Sequence, residues 1–239
     1  STWMTSSEAT TRMTTSRGSS RRRWLRLALG LAVAAALLAC VLLLLALWRP
    51  SAYAPRSVDF NLLDDDKRAA WGLADRVSAA LAAGRPLREE ISEAQLNRWI
   101  AARAELWPER GELVPAPFER PVVSLLPDGR VRLAAVVARG GWRFVLTLTL
   151  RANLDEQGVV VRRADAQLGA LPVPAGLTDW ALRAAVGGIR GAEVLPGGGV
   201  RLPARFRWPD GDVPVRVSAL EVADGAVRFA LEPESQRRR

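Results

Sequence analysis

The sequence predicts an α+β protein in which an N-terminal transmembrane helix precedes two helices, three antiparallel strands, one helix and three more antiparallel strands. Two observations predict this order. An uncharged apolar run extends from Leu27 to Leu47, and the spacing of apolar residues after it is helical up to Pro108 but alternates from Val122 onward. Because short turns join the strands, we expect one curved antiparallel sheet packed on helices.

The apolar run from Leu27 to Leu47 has the length of a membrane span. It contains no proline, and as a helix it is roughly 31 Å long, about the thickness of the hydrocarbon core of a bilayer. Trp24 and Trp48 flank it, and an arginine cluster precedes it. The positive-inside rule therefore predicts a cytoplasmic N-terminus and an extracytoplasmic C-terminal domain.

Three other interpretations use the same part of the chain. Ala52-Tyr53-Ala54 has the pattern of a signal-peptide cleavage site, Leu37-Leu38-Ala39-Cys40 resembles a lipobox, and Ser20 to Arg26 resembles a twin-arginine export signal. The apolar run exceeds the usual length of the apolar region within a signal peptide, and it continues past Cys40. We therefore interpret it as an uncut anchor.

These features predict five segments. They are a disordered basic cytoplasmic tail at 1–23, the transmembrane helix at 24–48, a linker at 49–57, an extracytoplasmic α+β domain at 58–234 and a basic tail at 235–239. The first helix of the domain follows Asp64-Asp65-Asp66, where acidic residues favour a helix start over a cation site. A capping box of Ser92 and Gln95 starts the second helix. The third is marked by Leu177, Trp180, Ala181 and Ala184.

The alternation of apolar and polar residues is clearest from Trp142 to Leu154. The other predicted strands lie at 131–137, 158–168, 200–208, 213–222 and 226–231. One face of these strands carries the candidate ligand-binding residues Leu133, Val137, Phe144, Leu146, Leu148 and Leu150. A curved sheet can enclose an apolar cavity lined by such residues, and a solid core without a ligand is the alternative.

Composition excludes several classes of function. The net charge is +9, but the excess arginines lie in the N-terminal tail and at the C-terminus, so the domain is close to neutral and no nucleic-acid partner is expected. The chain has no histidine and a single cysteine, which excludes Ser-His-Asp and Cys-His catalytic groups, His-rich zinc sites and CxxC redox sites. We expect no catalytic residue, no metal and no cofactor.

Carboxylate pairs are the remaining route to an enzyme. The candidates for glycoside chemistry are Glu89, Glu90, Glu93, Glu105 and Glu109. They fall on or beside predicted solvent-exposed helix faces, so we interpret them as surface charges. Among the tryptophans, Trp142 and Trp208 lie at strand ends and are the candidates for exposed aromatic contacts.

Three features of the sequence occur together: the stretch from Ile91 to Asn97, ISEAQLN, the long alternating strands, and the stretch from Leu168 to Pro174, LGALPVP, before a helix. With them the chain resembles the YpmS-type family of bacterial single-pass membrane proteins with an uncharacterised exported domain. The resemblance implies a relation to tubular lipid-binding domains. We expect a non-enzymatic domain that binds or handles lipid or another apolar ligand at the cytoplasmic membrane of a bacterium. The alternative is an anchored scaffold that binds other envelope proteins through a sheet edge or groove.

Overall fold

The computed structural model describes residues 17–108, 118–176, 178–179, 183, 191–196, 198–208 and 213–234, without the side chains of residues 17–28 and 139. The helices of this part of the chain are α1 (Arg17–Leu47), α2 (Leu63–Ala82), α3 (Glu93–Ala101) and α4 (Arg103–Leu106). The strands are β1 (Leu87–Ser92), β2 (Phe118–Leu125), β3 (Arg130–Arg139), β4 (Trp142–Leu154), β5 (Gly158–Leu168), β6 (Leu171–Pro172), β7 (Glu193–Leu195), β8 (Gly199–Pro203), β9 (Arg205–Arg207), β10 (Pro214–Ala223) and β11 (Ala226–Pro233).

Contacts between Cα atoms divide the chain into two units, Ser1–Leu43 and Leu44–Arg239. The described part of the first unit is helical, and its apolar side chains from Leu29 onward are exposed. Leu29–Leu47 is the one helical segment of the described chain that is long and apolar enough to cross a membrane, a property that a signal sequence near an N-terminus shares. The helix begins at Arg17, before the predicted start at residue 24, and residues 1–16 of the predicted tail lie outside the described residues.

The second unit is built on two antiparallel sheets, which confirms the α+β class but makes the prediction of one sheet wrong. A four-stranded sheet has the order β1-β11-β10-β9, and a seven-stranded sheet has the order β2-β3-β4-β5-β8-β7, with β6 paired to β5. The predicted strand 200–208 is divided between the two sheets. β8 pairs with β5 and β9 pairs with β10, while the buried Ala204 between them accepts a hydrogen bond from the amide of Val217 at 2.8 Å.

Short strands account for most of the elements that the sequence did not predict. β1 pairs with β11 along its whole length, from Leu87 opposite Leu231 to Ser92 opposite Ala226. The second predicted helix begins after Ser92, whose hydroxyl accepts the amide hydrogen of Gln95 at 3.2 Å, but the helix is interrupted at Ala102 and continues as α4. The long strand β4 matches its predicted bounds, from Trp142 to Leu154.

Helix α2 covers the four-stranded sheet. Val77 and Leu81 of the helix form a buried cluster with Val215 of β10 and Leu231 of β11. Fully burying one such side chain stabilises the fold by roughly 1.5 to 3 kcal/mol, so this contact fixes the helix on the sheet. A second cluster joins α2 to α3 and α4 through Ala70, Trp99, Ala102 and Leu106.

The predicted linker at 49–57 contributes a core residue to the seven-stranded sheet. Tyr53 is 5% exposed and clusters with Val122 of β2, Ala134 of β3 and Val145 of β4. The segment therefore packs on the sheet instead of serving only as a spacer. The four residues that mark the third predicted helix, Leu177, Trp180, Ala181 and Ala184, lie outside the described residues, and positions 175–176, 178–179 and 183 are helical. The predicted C-terminal tail at 235–239 also lies outside them.

Candidate functional site

The six predicted ligand-binding residues lie together on one face of β3 and β4. Cross-strand pairing places Leu133 opposite Leu148 and Val137 opposite Phe144. We call this set, Leu133, Val137, Phe144, Leu146, Leu148 and Leu150, the apolar band. Leu150 is buried, whereas the other five side chains are half-buried. The band is therefore a continuous apolar surface of two neighbouring strands that the rest of the protein covers only in part.

A cavity of about 520 Å³ lies against the opposite face of the same strands. This volume is within the range of small-molecule sites, roughly 300 to 1,000 Å³. We call it the arginine pocket. Its lining comes from the end of α1, the segment after it, and strands β2, β3 and β4, through Leu47, Arg49, Tyr53, Pro55, Glu119, Arg120, Val136, Arg143 and Val145. The lining combines an apolar floor with charged side chains.

Positive charge predominates in the arginine pocket, which has three arginines and one carboxylate. Nη2 of Arg143 lies 3.1 Å from Oε2 of Glu119, so these two charges are paired. The guanidinium of Arg49 lies over the ring of Tyr53, with its carbon 5.2 Å from the ring centroid, a cation–π arrangement. Within the described chain, neither Arg49 nor Arg120 forms an ion pair. Two guanidinium groups of the pocket therefore lack a counter-charge from the described residues.

The backbone at Arg120 has an unusual conformation. Its φ angle is 49°, the one positive φ of a non-glycine residue in the described chain. The strand pairing of β2 with β3 also shifts register between Glu119 and Val122, which is the mark of a β-bulge. Bulges change the direction of a side chain, and a positive φ costs about 1 to 2 kcal/mol for a residue with a Cβ atom. This local strain accompanies the placement of Arg120 in the pocket lining.

Tyr53 connects two of the pocket arginines. Its ring lies under Arg49, and its hydroxyl donates a hydrogen bond of 2.9 Å to the carbonyl oxygen of Arg120. Burial raises the pKa of the Tyr53 phenol, and the positive charges of Arg49 and Arg120 act in the opposite direction. The phenol is therefore the neutral hydrogen-bond donor at neutral pH.

The end of α1 is hydrogen-bonded to the seven-stranded sheet through the LGALPVP motif. The amide of Ala170 donates to the carbonyl oxygen of Leu45 at 2.8 Å, and the amide of Gly169 donates to that of Val145 at 2.8 Å. The φ angle of Gly169 is +59°, and a Cβ atom there would overlap the carbonyl oxygens of Leu45 and Ala46. Only glycine satisfies both conditions. The carbonyl oxygen of Leu45, in the last turn of α1, accepts from the amide of Trp48 at 3.3 Å as well as from that of Ala170.

The ISEAQLN motif closes one edge of the seven-stranded sheet. The side-chain amide of Asn97 donates to the carbonyl oxygen of Val123 at 2.6 Å and accepts from the amide of the same residue at 2.8 Å. Oε2 of Glu93 accepts from the amide of Leu125 at 2.6 Å. These side chains take the place of a neighbouring strand along β2, so this stretch of the edge is not free to pair with another chain.

Most of the acidic residues considered for metal binding or catalysis have structural contacts, whereas Oε2 of Glu105 is buried without a hydrogen-bond partner among the described residues. Asp66 is 5% exposed and pairs with Nε of Arg98 at 2.9 Å, while Asp64 and Asp65 lie in the first turn of α2. The carboxylates of Glu89 and Glu90 bind Arg76 and Arg228, each with a shortest distance of 2.7 Å. Glu109 lies outside the described residues. In the part of the chain that the structure describes, no group of three His, Cys, Asp or Glu side chains has the arrangement of a metal site.

The two candidate tryptophans have different environments. Trp142 is 49% exposed at the start of β4, directly before Arg143 of the pocket. The indole of Trp208 instead donates to the hydroxyl of Ser78 at 2.9 Å and packs against the cluster under α2. Of these two tryptophans, Trp142 is therefore the one with an exposed aromatic surface.

The arginine pocket could not be predicted from the sequence. Its three arginines come from segments that are far apart in the chain, and their spacing carries no motif. The available signals were weak: Tyr53 is the single tyrosine of the chain, between Pro50 and Pro55, and Arg120 precedes a proline. Comparison with protein-family models, curated proteins and solved structures found no match for the chain.

Proposed function

We propose that the protein is a single-pass membrane protein whose extracytoplasmic domain binds or handles lipid or another apolar ligand at the cytoplasmic membrane of a bacterium, without enzymatic activity. The observation that carries the proposal is the apolar band. Its members pair across β3 and β4, and all but Leu150 are left half-buried. A half-buried leucine or phenylalanine lacks about 1 kcal/mol of the stabilisation that full burial would give. Contact with an acyl chain would supply this stabilisation.

The packing of Tyr53 supports an uncut anchor over a cleaved signal peptide. Cleavage after Ala54 would remove Tyr53 from the core cluster with Val122, Ala134 and Val145, together with its hydrogen bond to Arg120. It would also remove Leu45, whose carbonyl oxygen holds the amide of Ala170. A mature domain that began at Pro55 would lose part of its own core, so retention of the helix agrees better with these contacts.

The blocked edge of β2 favours ligand binding over one form of the scaffold alternative. Strand addition requires free amide and carbonyl groups along a sheet edge. Asn97 and Glu93 already occupy those of Val123 and Leu125. A scaffold role would have to use another surface.

Photo-crosslinking tests the proposal on the full chain. The protein would be expressed in bacteria that incorporate a phospholipid with a photoreactive group on its acyl chain, irradiated and mapped by peptide mass spectrometry. We expect label on α1 and also on β3 and β4. The double substitution Leu146→Gln and Leu148→Gln should remove the label from the strands, whereas Arg151→Gln, on the opposite face of β4, should not.

The label on α1 serves as an internal standard for membrane insertion. Label on α1 without label on β3 and β4 would contradict lipid binding by the band but leave the anchor intact. A chain without label on either segment would contradict the anchor itself.

A further inference from the structure

The arginine pocket has the chemistry of an anion site. We propose that it binds a phosphate group through the guanidinium groups of Arg49 and Arg120, while Arg143 adds positive charge to the lining. A guanidinium presents planar N–H donors that match the oxygen atoms of phosphate, and such charge-assisted hydrogen bonds are about twice as strong as neutral ones. All three side chains line one cavity of about 520 Å³.

The side chains of Arg49, Arg120 and Arg143 are exposed, and their excess positive charge favours an anion in the pocket. Three like charges around one cavity repel each other, and Glu119 compensates one of them by pairing with Arg143 at 3.1 Å. Arg49 is oriented by the ring of Tyr53, and its guanidinium keeps its hydrogen-bond donors for a ligand. The carboxylate of Glu119 also lines the cavity and repels an anion, so a phosphate would bind on the side of Arg49 and Arg120.

The strain at Arg120 is a second, independent observation. A positive φ is unfavourable for arginine, and the following Pro121 restricts the residue further. The hydrogen bond from Tyr53 to the carbonyl oxygen of Arg120 holds this conformation. Strained residues that a fold keeps in place are concentrated at binding sites. Here the strained residue carries one of the two pocket guanidinium groups that form no ion pair with a described residue.

The phosphate could come from a lipid headgroup or from solution. Leu47, at the end of the apolar helix, lines the pocket, and Trp48 next to it is 63% exposed. Trp142, next to Arg143, is 49% exposed. If the helix is the anchor proposed above, Trp48 at its end has the position of an interfacial tryptophan, and Leu47 brings the pocket lining close to the lipid headgroups. The lipid source rests on that anchor, whereas the phosphate site does not require the apolar band.

Native mass spectrometry of the full chain in detergent tests the proposal and its two sources. One arm titrates the protein with phosphatidylglycerol and, in parallel, with phosphatidic acid, and another titrates it with inorganic phosphate. We expect Arg49→Gln and Arg120→Gln each to weaken binding of the phosphate-bearing ligand about tenfold. Arg151→Gln is the matched control, because Arg151 is an exposed arginine on the same face of β4 as Arg143 but does not line the pocket.

Arg120→Gly separates binding from folding. Glycine accepts the positive φ without strain, so this variant should be at least as stable as the wild type and yet bind about tenfold more weakly. If phospholipid binds and inorganic phosphate does not displace it, the bound phosphate group comes from a lipid. If inorganic phosphate binds in an arginine-dependent way and phospholipid does not bind, the phosphate comes from solution. Equal losses in Arg151→Gln and the pocket variants, or unchanged binding in the pocket variants, would overturn the site. These titrations do not involve the labelling of β3 and β4. The phosphate site can therefore be refuted while lipid binding by the apolar band is supported, and the reverse also holds.

Discussion

The hydroxyl of Tyr53 donates a hydrogen bond to the carbonyl oxygen of Arg120 at 2.9 Å, between residues 67 positions apart in the chain. The same tyrosine supports the guanidinium of Arg49 with its ring. One side chain from the segment after the apolar helix therefore orients two arginines of the pocket and fills a core position between β2, β3 and β4. The packing of the domain and the assembly of the candidate site depend on the same residue.

The titration of Tyr53 reports directly on this environment, because it is the single tyrosine of the chain. Burial raises the pKa of its phenol above the ordinary value of 10.0, and the charge of Arg49 lowers it. We expect the tyrosinate absorbance of the folded protein to appear at higher pH than that of the unfolded chain. Arg49→Gln should move it higher still.

The same shift predicts how stability changes with pH. The folded state holds the phenol proton of Tyr53 more tightly than the unfolded state does. The contribution of the protonated phenol to the free energy of unfolding is therefore complete below the pKa of Tyr53 in the unfolded chain, and it is lost as the pH rises through its pKa in the folded protein. Stability measured by denaturant unfolding should therefore fall in this alkaline range, and Tyr53→Phe should lack that component. A folded protein that titrates below the unfolded chain would contradict the buried phenol.

Gly169→Ala should loosen the end of α1 from the sheet. The new methyl group would overlap the carbonyl oxygens of Leu45 and Ala46 in addition to the strain of a positive φ. Gly140→Ala is the matched control, since the φ angle of Gly140 is +58° and no atom lies within 4 Å of a Cβ atom there. We expect the control to lose about 1 kcal/mol of stability and Gly169→Ala clearly more, with faster proteolysis at 48–56. Equal losses of stability in the two variants would show that the contact of Gly169 with the end of α1 does not stabilise the fold.

Asn97→Ala should open the edge of β2. The substitution leaves the amide and carbonyl groups of Val123 without partners at a partly buried position, which costs about 1 to 3 kcal/mol. It also creates an edge that can pair with a second molecule. Thermal unfolding should shift to lower temperature, and light scattering should detect self-association. Ser92→Ala, which removes only the helix cap, should destabilise by about 1 kcal/mol without self-association.

Glu119→Gln should tighten phosphate binding in the arginine pocket. The substitution removes the one carboxylate of the lining and releases Arg143 from its ion pair. An affinity increase of about tenfold is expected for phosphatidylglycerol in the mass-spectrometry titration, because a repulsive charge is lost and a third guanidinium becomes available. Weaker binding would mean that Glu119 holds Arg143 in its binding position.

Local patterns predicted the long elements well. Strand β4 was predicted within its observed bounds because its thirteen residues alternate in polarity with the single exception of Val145. The start of α3 was predicted because Ser92 and Gln95 form a local cap. Both signals lie within a few residues of the structure they predict. The six residues of the apolar band also follow from this alternation, and the structure places them on one face.

Long-range pairing could not be predicted in the same way. Strand β1 has only two apolar residues, Leu87 and Ile91, and is a strand because β11 pairs with it from the far end of the chain. Apolar residues occupy every second position throughout 200–208, although the chain passes from one sheet to the other at Ala204. The pattern therefore does not show where the strand divides. The arginine pocket was missed for a related reason, since the contact of Tyr53 with Arg120 exists only after the sheet has formed.

Protease protection of the full chain, with one tag at each end, tests the central claim that the apolar helix is an uncut anchor for an extracytoplasmic domain. In spheroplasts of a bacterial host, the account predicts that both tags stay on one polypeptide in the membrane fraction, with the N-terminal tag protected and the C-terminal tag digested. Separation of the two tags, recovery of the intact chain in the cytosol, or protection of the C-terminal tag would contradict it.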